Sequence, residues 1–254
     1  MATDEGSQGH LLGTLYLVPS LIAPAAVDAV LPNGTLEVAR RLRRFIVETP
    51  KQARSFLKSI AHPGPIAALE LTAIDPLALA LADLEAWLEA GQGVGLLSDA
   101  GMPSVADPGA SVVARAHQLG ARVIPLVGPC SVLLALAASG LNGQRFDFLG
   151  YLPIKASERE RAIDEALRRL RTTGATQIFI ETPYRNAALL ASLCERLPGD
   201  VWLVVAQDLT GATERILAKP AAAWTTDDRG RFEDKRPAIF MLGESPKLPA
   251  TPRR

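Results

Sequence analysis

Two cysteines and three histidines in 254 residues are too few and too scattered to build a metal site. Cys130 and Cys194 lie far apart and share no ligand spacing with His10, His62 or His117, so neither a zinc site nor a disulfide framework is expected. A reducing cytoplasm is the compartment that fits. Charge of one sign is missing too: 27 Lys and Arg balance 27 Asp and Glu, leaving no global field to hold a polyanion. Any nucleic-acid contact must come from local patches. Arg40, Arg41, Arg43 and Arg44 form one candidate, and Arg159, Arg161, Arg168, Arg169 and Arg171 another; solvated helix faces have the same composition. Met1 to His10 is polar and has no apolar signal core. The run from Val123 to Leu141 carries no formal charge and approaches the ~20 residues of a membrane span. Pro125, Gly128 and Pro129 interrupt it, so a buried strand, turn and helix are expected instead.

Apolar residues make up 48% of the chain, enough for a sizeable core in one large domain or two compact ones. Strand-like runs occur at Leu12–Val18, Phe45–Glu48, Ile66–Leu71, Val94–Leu97 and Val123–Val127. Helical patterns separate them at Pro50–Ile60, Pro76–Ala90 and Pro108–Leu119. This alternation predicts a mostly parallel sheet covered by helices. Thr49-Pro50, Asp107-Pro108 and Thr182-Pro183 each put a capping side chain before a proline at the first helical position. Near Gly150 the pattern changes. Phe146–Leu152 reads as a strand or linker and Ser157–Arg171 as a long amphipathic helix. Strands follow at Gln177–Glu181, Val201–Ala206, about Arg215–Ala218 and Ala238–Leu242. Some must be antiparallel, because the last ones are joined without a full helical crossover. The expected organisation is an α/β domain with a mostly parallel sheet over 11–150 and an α+β domain over 151–243. The tails, 1–10 and 246–254, read as disordered.

Gly91, Gly93 and Gly95 imitate a dinucleotide loop, but such a loop follows its strand and opens a helix. Here the glycines precede the strand Val94–Leu97 and end a helix, and the first strand runs into Pro19-Ser20 with no glycine, which disfavours a nicotinamide enzyme. Ser98-Asp99-Ala100-Gly101-Met102-Pro103, continuing to Asp107-Pro108-Gly109, is more informative. It follows an apolar strand, where open α/β sheets place ligands. Asp99 supplies a carboxylate, Gly101 permits positive φ and Asp107 caps the next helix; a purely structural turn would use the same residues. Leu126 to Ser131 repeats the geometry, with Gly128 letting a ligand approach the backbone. Cys130 reads there as a small buried residue, not a nucleophile. Glu181, Tyr184, Arg185 and Asn186 concentrate polar groups at one strand-to-helix corner, although Glu181 and Arg185 could simply pair.

Six ordered segments carry a resemblance: Gly13 to Pro19, Leu97 to Pro103, Ala106 to Gly109, Pro125 to Pro129, Glu181 to Arg185 and Ala206 to Thr210. Together they resemble the tetrapyrrole-methylase superfamily, and within it the branch of ribosomal RNA small subunit methyltransferase I. The resemblance covers roughly Gly13 to Gly243 and implies a two-domain α/β fold, usually a homodimer, with S-adenosylmethionine between the domains. By motif, it places cofactor contacts at Ser98, Asp99, Ala100 and Gly101, at Val127, Gly128, Pro129 and Ser131, and near Glu181, Ala206 and Ala238. The branch methylates a ribose 2′-hydroxyl of small-subunit ribosomal RNA.

Three departures lie in the first domain. Ser20-Leu-Ile-Ala-Pro24 replaces the branch's turn after the first strand, and its acidic Glu-Asp-Thr-Arg stretch survives only as Glu48-Thr49 with Arg54 further on. Its histidine-bearing segment after the third strand is replaced by Leu71 to Asp75. These departures bear on the methyl acceptor more than on the donor, and resemble a shorter, less-characterised side group. A ribose hydroxyl is weakly acidic and benefits from a general base, for which Asp99, Glu48 and Glu181 are the candidates. Arg54 or Arg185 would hold a phosphate, with Tyr184 and Asn186 as further substrate contacts. No metal and no membrane are expected. Three readings stay open: an RNA 2′-O-methyltransferase, a methyltransferase for a small tetrapyrrole-like molecule, and a non-catalytic module that keeps the cofactor fold.

Overall fold

A computed structural model of the chain describes residues 12–232 and 235–245; the expected tails at 1–10 and 246–254 lie outside the described residues. The chain divides into two compact units that meet in sequence between Cys130 and Ser131.

In the first unit, β1 (Thr14–Val18), β2 (Arg44–Val47), β3 (Glu70–Ala73), β4 (Gly93–Leu97) and β5 (Arg122–Pro125) form one sheet in the order β3-β2-β4-β1-β5. Every pairing is parallel. Parallel neighbours require crossovers, and these cover both faces. The helices α1 (Val27–Val30), α2 (Asn33–Arg41) and α3 (Pro50–Ser59) close one core over Val18, Phe45, Val47 and Leu97. On the other face α4 (Leu77–Glu89) and α5 (Ala110–Gln118) close a second core over Leu15, Ile46, Val94 and Leu96. Successive strand residues point to opposite faces, so Phe45 and Val47 serve one core and Ile46 the other. The path steps one way across the sheet from β1 to β2 and β3. It then returns to β4 and passes β1 to reach β5. The direction thus reverses between β4 and β1, and the loops after these strands leave toward opposite faces. Their carboxyl ends open the crevice where such sheets bind ligands.

Three local expectations are corrected. The run Ile66–Leu71 is a 3-10 turn at Ile66–Ala68 followed by β3, whose register against β2 (Arg44 opposite Glu70) begins four residues later than the apolar run. Helix α5 opens at Ala110 after Gly109, so Asp107 does not cap it. Thr182-Pro183 leads into a 3-10 turn, Pro183–Arg185, without a side-chain cap.

The second unit begins with α6 (Ser131–Ser139), which packs against β9 (Arg215–Pro220) and β10 (Ala238–Gly243). The uncharged stretch from Val123 to Leu141 is therefore a strand, a turn and a helix. The strand β6 (Phe146–Tyr151) pairs parallel with β7 (Thr176–Glu181). Both α6 and β6 belong with this second sheet, although 11–150 was expected to be one domain. Then β10 runs antiparallel to β7 and to β8 (Trp202–Gln207), and β9 antiparallel to β8, in the order β6-β7-β10-β8-β9. The helices α7 (Ala156–Thr173) and α8 (Asn186–Arg196) contribute Ile163, Leu170, Leu189 and Leu193 to the core. At its centre the rings of Phe179 and Phe240, on adjacent strands, stack with centroids 5.9 Å apart.

Candidate functional site

In the first unit the loops after β1, β2, β4 and β5 converge on the sheet's carboxyl edge. Ser20, just past β1, ties two of them together: its amide donates to the Gly101 carbonyl at 2.9 Å and its hydroxyl to the Ser98 carbonyl at 3.2 Å. Gly101 has φ 71°, as its turn position predicts. Gly128 has a different reason to be glycine than the one expected. A Cβ there would sit 2.3 Å from Cγ of Pro19, so proline rather than a ligand occupies the space beside it. The neighbouring Val127 is exposed, and its carbonyl accepts from the Thr35 hydroxyl at 2.7 Å.

The strands β2 and β4 are adjacent, and the residues after them interlock. The Glu48 amide donates to the Leu97 carbonyl at 3.0 Å, and the Asp99 amide donates to Glu48 Oε2 at 3.0 Å. Thr49 in turn donates its amide to Asp99 Oδ1 at 3.1 Å and its hydroxyl to Oδ2 at 2.7 Å. The Asp99 carboxylate remains exposed, with lone pairs to spare. Asp107 is the third carboxyl of this corner. Its partial burial, with the charges of Glu48 and then Asp99 adding, pushes its pKa up to about 6. A recess of about 380 Å³ adjoins Asp99, walled by the loop Ser20–Pro24, by Ala100, and by Gln52, Ser55, Phe56 and Ser59 of α3. Arg54 is exposed on the same helix.

The second unit gathers its candidates where β7 ends beside the start of β10, with Glu181 opposite Ala238 and Ala206 opposite Ile239. The Glu181 side chain is only 1% exposed. Its Oε1 accepts from Arg185 Nε at 2.9 Å and Nη2 at 2.5 Å, and from the Thr182 amide at 2.6 Å. Glu181 and Arg185 thus brace each other, which leaves Glu181 poorly placed to exchange protons and Arg185 less available to a phosphate. Asn186 is buried and donates to the Arg236 carbonyl at 2.7 Å. Glu181 Oε2 and Asn186 Oδ1 are buried without a hydrogen-bond partner. Tyr184 is exposed, with the Lys235 ammonium 5.3 Å from its ring centroid. Among the described residues no cluster of His, Cys, Asp and Glu is placed to hold a metal ion.

The structure therefore brings Ser98, Asp99, Ala100, Gly101 and Glu48 together in the first unit, and Glu181, Arg185, Asn186 and Ala238 in the second. Sequence reasoning missed Thr49, Ser20 and Asp107 as parts of the acidic corner. The step Glu48-Thr49 after a strand was the available signal; Glu48 stood as a candidate base, but Thr49 read as a helix cap.

Comparison with known proteins agrees with this architecture. The family described as Tetrapyrrole (Corrin/Porphyrin) Methylases matches residues 22–223. Ribosomal RNA small subunit methyltransferase I of Vibrio cholerae serotype O1 is 38% identical over 147 residues, 57% of this chain and 50% of that protein. The protein of the same name from Escherichia coli O157:H7 is 32% identical over 222 residues, 86% of this chain and 74% of that one. The alignments thus span between half and three quarters of these relatives. Among solved structures, diphthine synthase superposes with a TM-score of 0.64 at 14% identity, over 92% of this chain and 90% of that one, which shows a shared fold. With its parallel sheet, its mixed second sheet and a family match across both units, the chain belongs to the tetrapyrrole methylase family.

Proposed function

We propose that the protein is an S-adenosylmethionine-dependent methyltransferase whose acceptor is a ribose 2′-hydroxyl of small-subunit ribosomal RNA. The names of the curated relatives support small-subunit ribosomal RNA as the substrate, and the family supports the donor. The observation that carries the reading is Asp99, held by three hydrogen bonds through its amide and carboxylate at the edge of an open recess. A cytoplasmic homodimer belongs to the same proposal. Among the described residues no helix is long and apolar enough to cross a membrane.

The residues fit the cofactor. Its ammonium, amino and hydroxyl groups are donors, and Glu181 Oε2 and Asn186 Oδ1 are buried acceptors that lack one. Ser98 Oγ is likewise buried without a partner and offers a donor. In the first unit Ser98 to Gly101 and Val127 to Pro129 are the proposed cofactor contacts; in the second unit they are Ser131, Glu181, Ala206 and Ala238. When bound, the sulfonium supplies a methyl group already activated by a neutral leaving group, so orientation provides much of the rate.

Asp99 is the residue assigned to take the proton of the acceptor hydroxyl. The amide and hydroxyl of Thr49 fix the direction of its carboxylate, and Glu48 fixes its backbone through the amide. Gln52, Ser55 and Ser59 supply the recess with uncharged hydrogen-bonding groups suited to a sugar.

The test is transfer of a radiolabelled methyl group in an extract from a strain lacking the protein, split into RNA and small-molecule fractions. Label in small-subunit RNA is the expected result. Label only among small molecules overturns the acceptor, and none in either fraction despite cofactor binding overturns catalysis.

A further inference from the structure

We propose that Lys51, Arg54 and Lys58 of α3 form a phosphate-binding strip that seats a single-stranded RNA segment beside the recess at Asp99. The inference rests on the RNA reading above and adds the surface that would hold the strand. Positions 51, 54 and 58 follow the i, i+3, i+7 spacing, so the three side chains share one helical face. All three are exposed. None of the three side chains forms an ion pair or hydrogen bond with a described residue. The helix Pro50–Ser59 contains no carboxylate at all. At 1.5 Å rise per residue the strip is about 10 Å long, enough to meet successive phosphates. Lys51 also stands in the first turn, where the helix dipole disfavours a cation unless an anion is near.

The other basic runs are partly engaged, with the side chains of Arg41, Arg43 and Arg161 left exposed and unpaired among the described residues. Arg168 and Arg169 share Glu165 at 2.6 and 3.0 Å, and Arg171 pairs with Asp200 at 2.8 Å. Arg44 pairs with Glu70 at 2.9 Å, and Arg40 donates to the Ile60 carbonyl at 2.6 Å. In a chain whose 27 cations balance 27 anions, α3 is distinguished by three unpaired cations on one face and no carboxylate. Its position gives it a use. Gln52, Ser55, Phe56 and Ser59 of the same helix wall the recess, so a strand gripped by the strip lies one helical face away from Asp99. Phosphate contacts of this kind set register and orientation while the recess takes the reacting nucleotide.

The experiment compares the full-length protein with the triple variant Lys51→Gln/Arg54→Gln/Lys58→Gln and the control Arg168→Gln/Arg169→Gln. A fluorescein-labelled, mixed-sequence RNA oligonucleotide of about 15 nucleotides is titrated by anisotropy from 50 to 200 mM salt. Each lost phosphate contact on a single strand lowers the salt slope by ~0.7, so the triple variant should lose about 2 from the slope. Over that range wild-type affinity should fall roughly 20-fold more than the variant's, which is the fourfold salt ratio raised to that difference. The control should keep the wild-type slope, and calorimetry should show unchanged cofactor affinity in both. An unchanged slope in the triple variant overturns the strip while leaving the RNA reading standing. No RNA binding by the wild-type protein overturns both, and loss of cofactor binding in the folded triple variant overturns the strip as a separate surface.

Discussion

Thr49 stands immediately before α3, yet its hydroxyl donates to Asp99 Oδ2 at 2.7 Å and caps nothing in the helix. Its amide makes the companion bond to Oδ1 at 3.1 Å. Pro50 starts the helix without that cap, because its φ is preset and it has no amide hydrogen to satisfy. The threonine is thereby free to hold a carboxylate in the loop after the neighbouring strand.

Thr49→Ala should lower the methyl-transfer rate about tenfold, the value of one hydrogen bond to a charged group at ~1.5 kcal/mol. Cofactor affinity should hold, and Thr49→Ser should recover most of the rate. A lower Tm with an unchanged rate would instead make Thr49 a purely structural residue.

Asp107 should make stability depend on pH. Its folded pKa is raised to about 6, so the folded state binds the proton more tightly than the unfolded one. Stability from this group is present below the unfolded value of 3.8 and is lost as pH rises through about 6. Asp107→Asn removes the ionisation, so it should stabilise the protein at pH 7.5 by about 1 kcal/mol, discounted for solvent screening. The gain should vanish near pH 3.5. Urea midpoints of both proteins across that range give the comparison.

Gly128→Ala should destabilise, because the new Cβ meets Pro19 at 2.3 Å. Overpacking of this kind costs about 1–3 kcal/mol, a Tm loss of roughly 3–10 °C. Pro19→Ala in the same chain should relieve part of the loss, and thermal unfolding of the four proteins measures the coupling. Strict additivity would mean the two residues do not meet.

Arg185→Met should strand the Glu181 carboxylate, whose side chain is 1% exposed. Leaving one partner of such a pair uncompensated costs about 3–5 kcal/mol. Adding Glu181→Gln should restore part of that stability, as denaturant unfolding will show. A mild effect of Arg185→Met with a large loss of RNA affinity would return Arg185 to the substrate.

The parallel sheet of the first unit was legible because each strand is a short apolar run followed by a turn and a helical pattern. That some strands of the second unit run antiparallel was legible from connections too short for a crossover, as between β8 and β9, but the pairing of β10 with β7 and β8 was not. The beginning of β3 was not, since Ile66 is apolar but lies in a 3-10 turn, and only pairing with Arg44–Val47 sets where the strand starts. The acidic corner was half legible. Asp99 and Glu48 follow apolar strands, but nothing local says that residues 51 apart in sequence share a hydrogen bond.

Periodicity, turn residues and motif order by themselves determined the α/β class and the family, because these depend on short-range pattern. Tertiary structure alone decided what each polar side chain does. It turned Thr49 from a cap into a carboxylate clamp, and Glu181 from a candidate base into the partner of Arg185. It gave Gly128 to Pro19, and assigned α6 and β6 to the second sheet. The physical reason is that a hydroxyl, a carboxylate or an edge strand accepts many partners. Which one it meets depends on strand order and register, and distant segments set these together.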